Sequence, residues 1–269
     1  LALMLIGIIV VLVVAWLTSN RLMERIRERE RSLVYEIAER KSAEERLHQV
    51  AAYDQLTNLP NRYLLHADFS RKLEDSGRKG KMLATLFFDL DNFKEVNDVH
   101  GHEVGDALLH QVARRMSEVT RNYDLLARFG GDEFVMIMSN LDDRLDVNQV
   151  VEKIIAGFVP AFDLPGANVH ITTSVGISIF PEDGNDPNEL LKNADLAMYR
   201  AKAEGRNCYQ FFSSEMNLEL QYSQWVATNL RKALDDNRLK LYFQPQVNLE
   251  TGAVESCEAL IRWPQEDGE

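Results

Sequence analysis

The sequence predicts an α/β (α+β) domain: a central mixed sheet flanked by helices, preceded by a transmembrane helix and a helical linker. Three observations predict it. Between residues 62 and 212, strand-like apolar runs alternate with segments whose apolar residues recur at helical spacing. Two short strands meet at Gly130-Gly131, a two-glycine hairpin signal that puts an antiparallel pair inside the alternating order. Hydrophobic residues make up 45% of the 269, enough for a packed core.

The elements follow in order. Leu1 to Leu17 is almost wholly apolar and carries no charge. As a helix it would span about 26 Å against a hydrocarbon core of roughly 30 Å. A cleaved signal peptide lacks a small-x-small site and a preceding basic segment here, and a buried core helix is rarely apolar on every face. Residues 1–19 are therefore expected to form a transmembrane helix. Arg21, Arg25, Arg27, Arg29 and Arg31 follow directly and favour the cytoplasmic side for everything downstream. Leu1 in place of an initiating Met, and a last stretch running out of a strand-like segment, read as a piece cut from a longer chain.

Residues 20–52 are charged and helix-favouring, without Gly or Pro. Met23, Ile26, Leu33, Ile37 and Leu47 approximate a heptad seam that Glu30, Arg40 and Glu44 interrupt. Two readings stand level: a solvated helical spacer, and a parallel dimeric coil that passes a signal along the chain. The turn formers from Asp54 to Arg62 end this helix. Residues 62–76 look helical. Met82 to Phe88 reads as a buried strand ending at Asp89. Leu108, Leu109, Val112, Ala113, Met116 and Val119 share a helical face. Leu125 to Phe129 and Phe134 to Met138 are the hairpin strands. Val147 to Phe158 marks another helix, and Ile171 to Phe180 a β-branched strand. Leu190 to Ala201 marks a helix before a last strand near Tyr209 to Phe212.

The formal net charge of −12 excludes broad binding of a nucleic-acid polymer, which needs a basic face. A small phosphate ligand is still allowed, because a few local cations or backbone N–H groups suffice. Cys208 and Cys257 stand far apart in no metal-like spacing, which fits a reducing compartment. No GxxxxGK[ST] run exists, which disfavours a P-loop GTPase.

The chemistry concentrates at Asp89, on the end of a buried strand, and at Asp132-Glu133, on the glycine hairpin. Carboxylates so placed can converge on one point. Oxygen-rich sites suit Mg²⁺, which takes one or two carboxylates plus substrate phosphates. The glycines let backbone N–H groups approach a phosphate. The competing reading makes Asp91, Asp132 and Glu133 solvated turn residues. His100 and His102 suggest a transition-metal pair only weakly, since their surroundings are rich in carboxylates.

Arg128-Phe129-Gly130-Gly131-Asp132-Glu133-Phe134 resembles the signature of the GGDEF diguanylate cyclases. Asp54-Gln55-Leu56-Thr57 with Leu59-Pro60-Asn61-Arg62 resembles the family's entry motif, with Asn58 where glycine is more usual. Phe88-Asp89-Leu90-Asp91, Phe93-Lys94, Asn97-Asp98, Gly101-His102 and Gly105-Asp106 resemble its metal and nucleotide segment. The resemblance covers roughly residues 50–213 and implies a nucleotide-cyclase/polymerase-palm-like fold, with the cyclase domain at 53–213.

It also implies roles. Asp89, the Leu90 carbonyl and Asp132 match metal ligands for Mg²⁺, with Mn²⁺ as an alternative. Glu133 matches the second signature acid, needed for metal binding or for activating a 3′-hydroxyl; Asp89, Asp132 and Glu133 are the expected catalytic residues. Asn97 and Asp106 match guanine readers. Gly130 and Gly131 match the phosphate approach, as do Lys202 and Arg206, whose plain reading is a basic helix end facing the carbonyl dipole. Lys94 is a phosphate contact or a surface lysine, and His102 lies near the nucleotide. Arg121-Asn122-Tyr123-Asp124 matches an RxxD product-inhibition site, so Arg121 and Asp124 are expected to bind cyclic di-GMP.

The implied activity is condensation of two GTP into cyclic di-GMP by a homodimer at the inner membrane of a bacterial cell, with a single visible pass and the catalytic domain in the cytoplasm. Residues 223–269 resemble the truncated start of an EAL phosphodiesterase domain, carried by Tyr242-Phe243-Gln244-Pro245-Gln246, Glu258-Ala259-Leu260 and Arg262-Trp263. There Glu258 would be a metal ligand, and Gln244 and Arg262 would contact cyclic di-GMP, in a site that is incomplete. The alternative for the cyclase domain is a non-catalytic module that binds GTP or cyclic di-GMP and regulates a downstream phosphodiesterase.

Overall fold

The computed structural model describes residues 50–264 apart from residue 122, together with residues 16, 23, 29, 35–36 and 39–41. Among the described residues, no helix is long and apolar enough to cross a membrane. This overturns the inner-membrane placement expected from the sequence. Except for Trp16, the segment read as a membrane anchor, 1–19, lies outside the described residues. So does most of the linker at 20–52, whose described positions are helical.

The domain is built on one five-stranded sheet in the order β2-β3-β1-β6-β7. The strands are β1 (Met82–Leu90), β2 (Leu125–Gly130), β3 (Glu133–Leu141), β6 (Thr173–Phe180) and β7 (Tyr209–Phe211). The pairs β2–β3, β3–β1 and β1–β6 are antiparallel and β6–β7 is parallel, so the sheet is mixed as expected. β1 lies at its centre and is buried along nearly its whole length, which explains an apolar run that only Thr85 interrupts before Asp89.

Alternate residues of β1 feed two cores. Ala84, Leu86, Phe88 and Leu90 pack with α3 (His102–Val119) and α4 (Arg144–Phe158) through Leu108, Val112, Met116, Val147 and Val151. Leu83 and Phe87 face the other way, onto Leu65 and Phe69 of α1 (Arg62–Lys79) and Leu190, Ala194 and Met198 of α5 (Pro187–Ala203). Each such large apolar side chain contributes about 1.5–3 kcal/mol when fully buried.

Local signals set the helix ends. The Asn61 side chain accepts from the N–H groups of Tyr63 and Leu64, capping α1, and Gly80 at φ 62° stops it three residues beyond the expected end. The Asp186 carboxylate caps α5 in the same way, with Pro187 in its first turn. On β6, Gly176 lets α5 lie directly on the sheet: a Cβ there would come within 1.9 Å of the Ala194 carbonyl oxygen and 2.1 Å of the Met198 nitrogen. That close approach seats the middle of α5 directly on β6.

Several elements escaped the periodicity reading. The short helix α2 (Phe93–His100) buries only Phe93, too little for a visible apolar stripe. The hairpin β4 (Phe162–Leu164) and β5 (Ala167–Val169) has three-residue strands. After the sheet come α6 (Ser214–Asp235) and an antiparallel pair, β8 (Lys240–Val247) and β9 (Val254–Arg262).

Candidate active site

β1 delivers the first acid. Asp89 is paired in register with Glu133 on one side and Ser174 on the other. The turn between β2 and β3 brings Asp132 to the same point, where its carbonyl accepts from the Leu90 N–H at 3.4 Å. Asp89, Leu90, Asp132 and Glu133 thus lie at one end of the sheet. Gly131 takes φ 53° in this turn, a conformation that a residue with a Cβ rarely adopts.

Arg128 locks the turn. Its Nε and Nη2 donate to the Gly131 carbonyl at 3.0 and 2.7 Å, while Nη1 donates to both Asp54 carboxylate oxygens at 3.0 and 3.1 Å. Asp54 also accepts from the Thr57 N–H at 2.8 Å and hydroxyl at 2.7 Å. Burial pushes the Asp54 carboxyl up, but the hydrogen bonds from Thr57 and Arg128 outweigh it and hold the group below its ordinary range. The entry motif is therefore a brace for the signature turn. Arg128 and Asp54 belong to separate motifs 74 positions apart, and no local pattern in the sequence pairs them.

Lys202, in the last turn of α5, places Nζ 2.7 Å from Asp89 Oδ1. Burial raises the Asp89 carboxyl above its ordinary value; Lys202 opposes this, and Asp132 and Asp91 add to it. Glu133 is raised by burial first, then by Asp195, Asp89 and Asp132, against the pull of Lys202. Asp195 on α5 is a member of this acidic group that sequence reading missed. It stands about two helical turns before Lys202, and only the packing of α5 on β6 brings it beside the hairpin.

Asp91 is a second surprise. It is buried rather than solvated, and it accepts from the Thr172 hydroxyl at 2.6 Å, the Ser174 hydroxyl at 2.7 Å and the Asn207 N–H at 3.1 Å. These contacts stitch β1 to β6 and to the loop after α5. That loop runs through Arg206 and Asn207 at φ 63° and 50°. Arg206 lines a cavity of about 700 Å³ together with Asn92, Glu95 and His170.

Asn97 on α2 lies against α3 at Gly105, where a Cβ would sit 2.0 Å from the Asn97 Oδ1. The glycine gives the Asn97 amide its place, next to Asp106 on the following residue. Asp106 is exposed, as are Lys94 and His102. On the approach to β2, Arg121 is exposed and donates from Nη1 to the Tyr123 hydroxyl at 2.9 Å. Asp124 is half-buried and accepts from the Ser139 N–H at 3.3 Å. Burial raises the Asp124 carboxyl, and the Ser139 bond and the nearby Arg121 charge act against it. In the second sheet, Gln244 and Glu258 are paired directly across β8 and β9, and Arg262 is opposite Lys240. The two-residue period places Gln244, Glu258 and Arg262 on one face of that pair.

Among the described residues, no three His, Cys, Asp or Glu side chains gather closely enough to hold a metal ion by themselves. The donor set at the hairpin nonetheless suits Mg²⁺. It is all oxygen, burial and neighbouring carboxylates raise Asp89 and Glu133, and Mg²⁺ needs only one or two carboxylates beside substrate phosphates.

Residues 51–208, more than half of the chain, match the family described as diguanylate cyclase, GGDEF domain. The chain belongs to the GGDEF family. Residues 227–269 match the EAL domain. A bifunctional diguanylate cyclase/cyclic di-GMP phosphodiesterase of Pseudomonas aeruginosa, MucR, is 41% identical over 221 residues, 82% of this chain and 32% of MucR. The cyclic di-GMP phosphodiesterase NbdA of the same organism is 41% identical over 217 residues, 81% of this chain and 28% of NbdA. The chain thus spans about a third or less of the length of these relatives. Among solved structures, the GGDEF domain of TpbB from Pseudomonas aeruginosa matches with a TM-score of 0.62 at 38% identity, covering 63% of this chain and 99% of that one. The coiled coil and GGDEF domain of DgcB from Caulobacter crescentus, in complex with c-di-GMP, matches with a TM-score of 0.64 at 26% identity, covering 69% and 98%.

Proposed function

We propose that this GGDEF domain is a catalytically competent diguanylate cyclase that condenses two GTP into cyclic di-GMP and two pyrophosphates. The observation that carries the reading is the convergence of Asp89, Asp132 and Glu133 on the braced hairpin, with Lys202 on Asp89.

Asp89, Asp132 and the Leu90 carbonyl would hold Mg²⁺, with Mn²⁺ as an alternative. A metal held there would neutralise charge on the substrate phosphates. Lys202 and Arg206 place further positive charge on the triphosphate. Gly130 and Gly131 keep the turn open to its oxygens. Asn97 and Asp106 bind guanine; a carboxylate at Asp106 accepts from N1–H and N2–H, which adenine does not offer. Glu133, its proton affinity raised by burial and neighbouring acids, takes the proton of an attacking 3′-hydroxyl. Lys94 and His102 flank the nucleotide from α2 and the start of α3.

Each subunit holds one GTP, and the 3′-hydroxyl of each attacks the α-phosphorus of the other. A single site contains half of the reaction, so a homodimer is a chemical requirement. Arg121 and Asp124 bind the product outside the metal site and brake synthesis. The complex of DgcB with c-di-GMP supports a product-binding role for this fold.

A second reading has a specific observation behind it. NbdA is a relative named for phosphodiesterase activity alone. On that reading the GGDEF domain binds GTP or cyclic di-GMP and regulates an EAL domain, whose Gln244, Glu258 and Arg262 begin here. Incubating the chain with GTP and Mg²⁺ and identifying the product by mass spectrometry separates the two. Cyclic di-GMP is expected from GTP, with ATP disfavoured by up to roughly 10⁴-fold because it leaves the guanine readers mismatched. GTP bound and recovered unchanged defeats the cyclase reading.

A further inference from the structure

The signature hairpin has two flanks, and the proposed guanine readers lie on only one. Asn97 and Gly105 belong to α2 and α3, on the face of the sheet built around Phe88 and Leu108. On the opposite face, α1 and α5 pack around Phe87 and Leu190. There a second cavity, of about 290 Å³, opens beside Glu133. Arg62 and His66 of α1 line one wall, and Asn188, Lys192 and Asp195 of α5 line the other. Its floor is Phe129, with the Arg62 guanidinium stacked 4.6 Å above the ring centre.

Apart from Glu133, none of the residues lining this groove is assigned a contact with the subunit's own GTP. Its composition nevertheless suits a nucleoside. A planar guanidinium on an aromatic ring is a platform for a base or sugar face. Asn188 offers both donor and acceptor, Lys192 a cation for a nearby phosphate, and Asp195 an acceptor for hydroxyl groups. The volume is at the lower end for a ligand pocket, enough for part of a nucleotide and too small for a whole triphosphate. Glu133, the group assigned to the attacking hydroxyl, is one of the residues that line the groove.

We propose that this groove receives the ribose and adjoining guanine edge of the partner subunit's GTP, with Arg62, Asn188 and Lys192 delivering its 3′-hydroxyl to Glu133. The inference rests on the cyclase reading. Each half-site then takes one nucleotide from each face of its sheet. At the bond-forming step the partner's 3′-oxygen joins the α-phosphorus of the subunit's own GTP. The bond from that phosphorus to the bridging oxygen breaks, pyrophosphate leaves, and the hydroxyl proton passes to Glu133. Repetition at the second half-site closes the ring. Each GTP is held by both subunits, so nucleotide and dimer stabilise one another.

The test uses the whole chain and α,β-methylene-GTP, an analogue that cannot be cleaved at the reacting bond. Asn188 and Lys192 are exposed, so Asn188→Ala with Lys192→Ala leaves the fold intact by circular dichroism. Calorimetry on dilute protein should show unchanged affinity of the single subunit for the analogue. Turnover should fall roughly ten- to hundredfold, the range for losing a hydrogen bond to a charged group. Sedimentation should show that the analogue promotes dimers of the wild type and not of the double variant. Lys192→Arg, which keeps the charge, should retain most of the turnover.

A double variant that turns over GTP and dimerises with the analogue as the wild type does overturns the groove and leaves the cyclase reading standing. A wild type without turnover, whose analogue-promoted dimer is lost in the variant, overturns the cyclase and keeps the groove as a bridging nucleotide site. A wild type with neither response overturns both.

Discussion

Replacing Gly105 with alanine separates guanine recognition from folding, because the two respond in opposite directions. Gly105 lies inside α3, where alanine is the better helix former by about 0.5–1 kcal/mol. The new methyl group would begin 2.0 Å from the Asn97 Oδ1 and 3.0 Å from its Cγ, with Phe93 at an ordinary 3.4 Å. The obstacle is the end of a flexible side chain, so the Asn97 amide swings aside and the backbone stays. Guanine then loses its hydrogen bonds to that amide. Each is worth about 0.5–1.5 kcal/mol net, and more where a buried group is left unpaired. Two such bonds amount to roughly a ten- to hundredfold loss in kcat/KM for GTP. The assay is steady-state cyclic di-GMP synthesis over a range of GTP, beside a thermal melt of the same protein. The expected result is a melting temperature equal to or slightly above that of the wild type, with KM raised. A variant that melts normally and uses GTP as well as the wild type refutes the placement of Asn97 in the guanine site.

Arg121→Ala should keep the initial rate, bind cyclic di-GMP roughly ten- to hundredfold more weakly and accumulate more product before stalling; progress curves with calorimetry check it, and equal stalling and binding defeat the regulatory role. Asp54 has its carboxyl held below the ordinary value of 3.8, so its brace to Arg128 contributes stability that is fully present above that value and lost as pH falls through the lower folded value. Urea midpoints measured from neutrality down to about pH 3 should fall less steeply in Asp54→Asn than in the wild type. Identical pH dependence in the two proteins contradicts the brace.

Much of this architecture was legible because burial writes itself into spacing. β1 read as a strand because both its faces are covered, and α3 read as a helix because Leu108, Val112 and Met116 share one core. The hairpin was legible from Gly130-Gly131, and the meeting of Asp89 with Asp132 and Glu133 follows from pairing β1 with β3. The partnerships that tune the site were not. Asp54 with Arg128, Lys202 with Asp89, and Asp91 with Asn207 each join residues far apart in the chain, and no local pattern marks such pairs. Asp91 in particular looked like a turn carboxylate, and three hydrogen bonds make it a buried strut. Small elements such as α2 and the β4–β5 hairpin bury too few residues to leave a period.

The central claim is that the carboxylates on the hairpin perform the synthesis. Its most direct test is cyclic di-GMP formed from GTP and Mg²⁺ by the wild type, Asp132→Ala and Glu133→Ala, quantified by mass spectrometry on proteins matched by circular dichroism. Neither side chain belongs to either hydrophobic core, so both variants should fold. The account predicts product from the wild type and none above background from either variant. Synthesis at the wild-type rate in either folded variant, or no synthesis by the wild type, contradicts it.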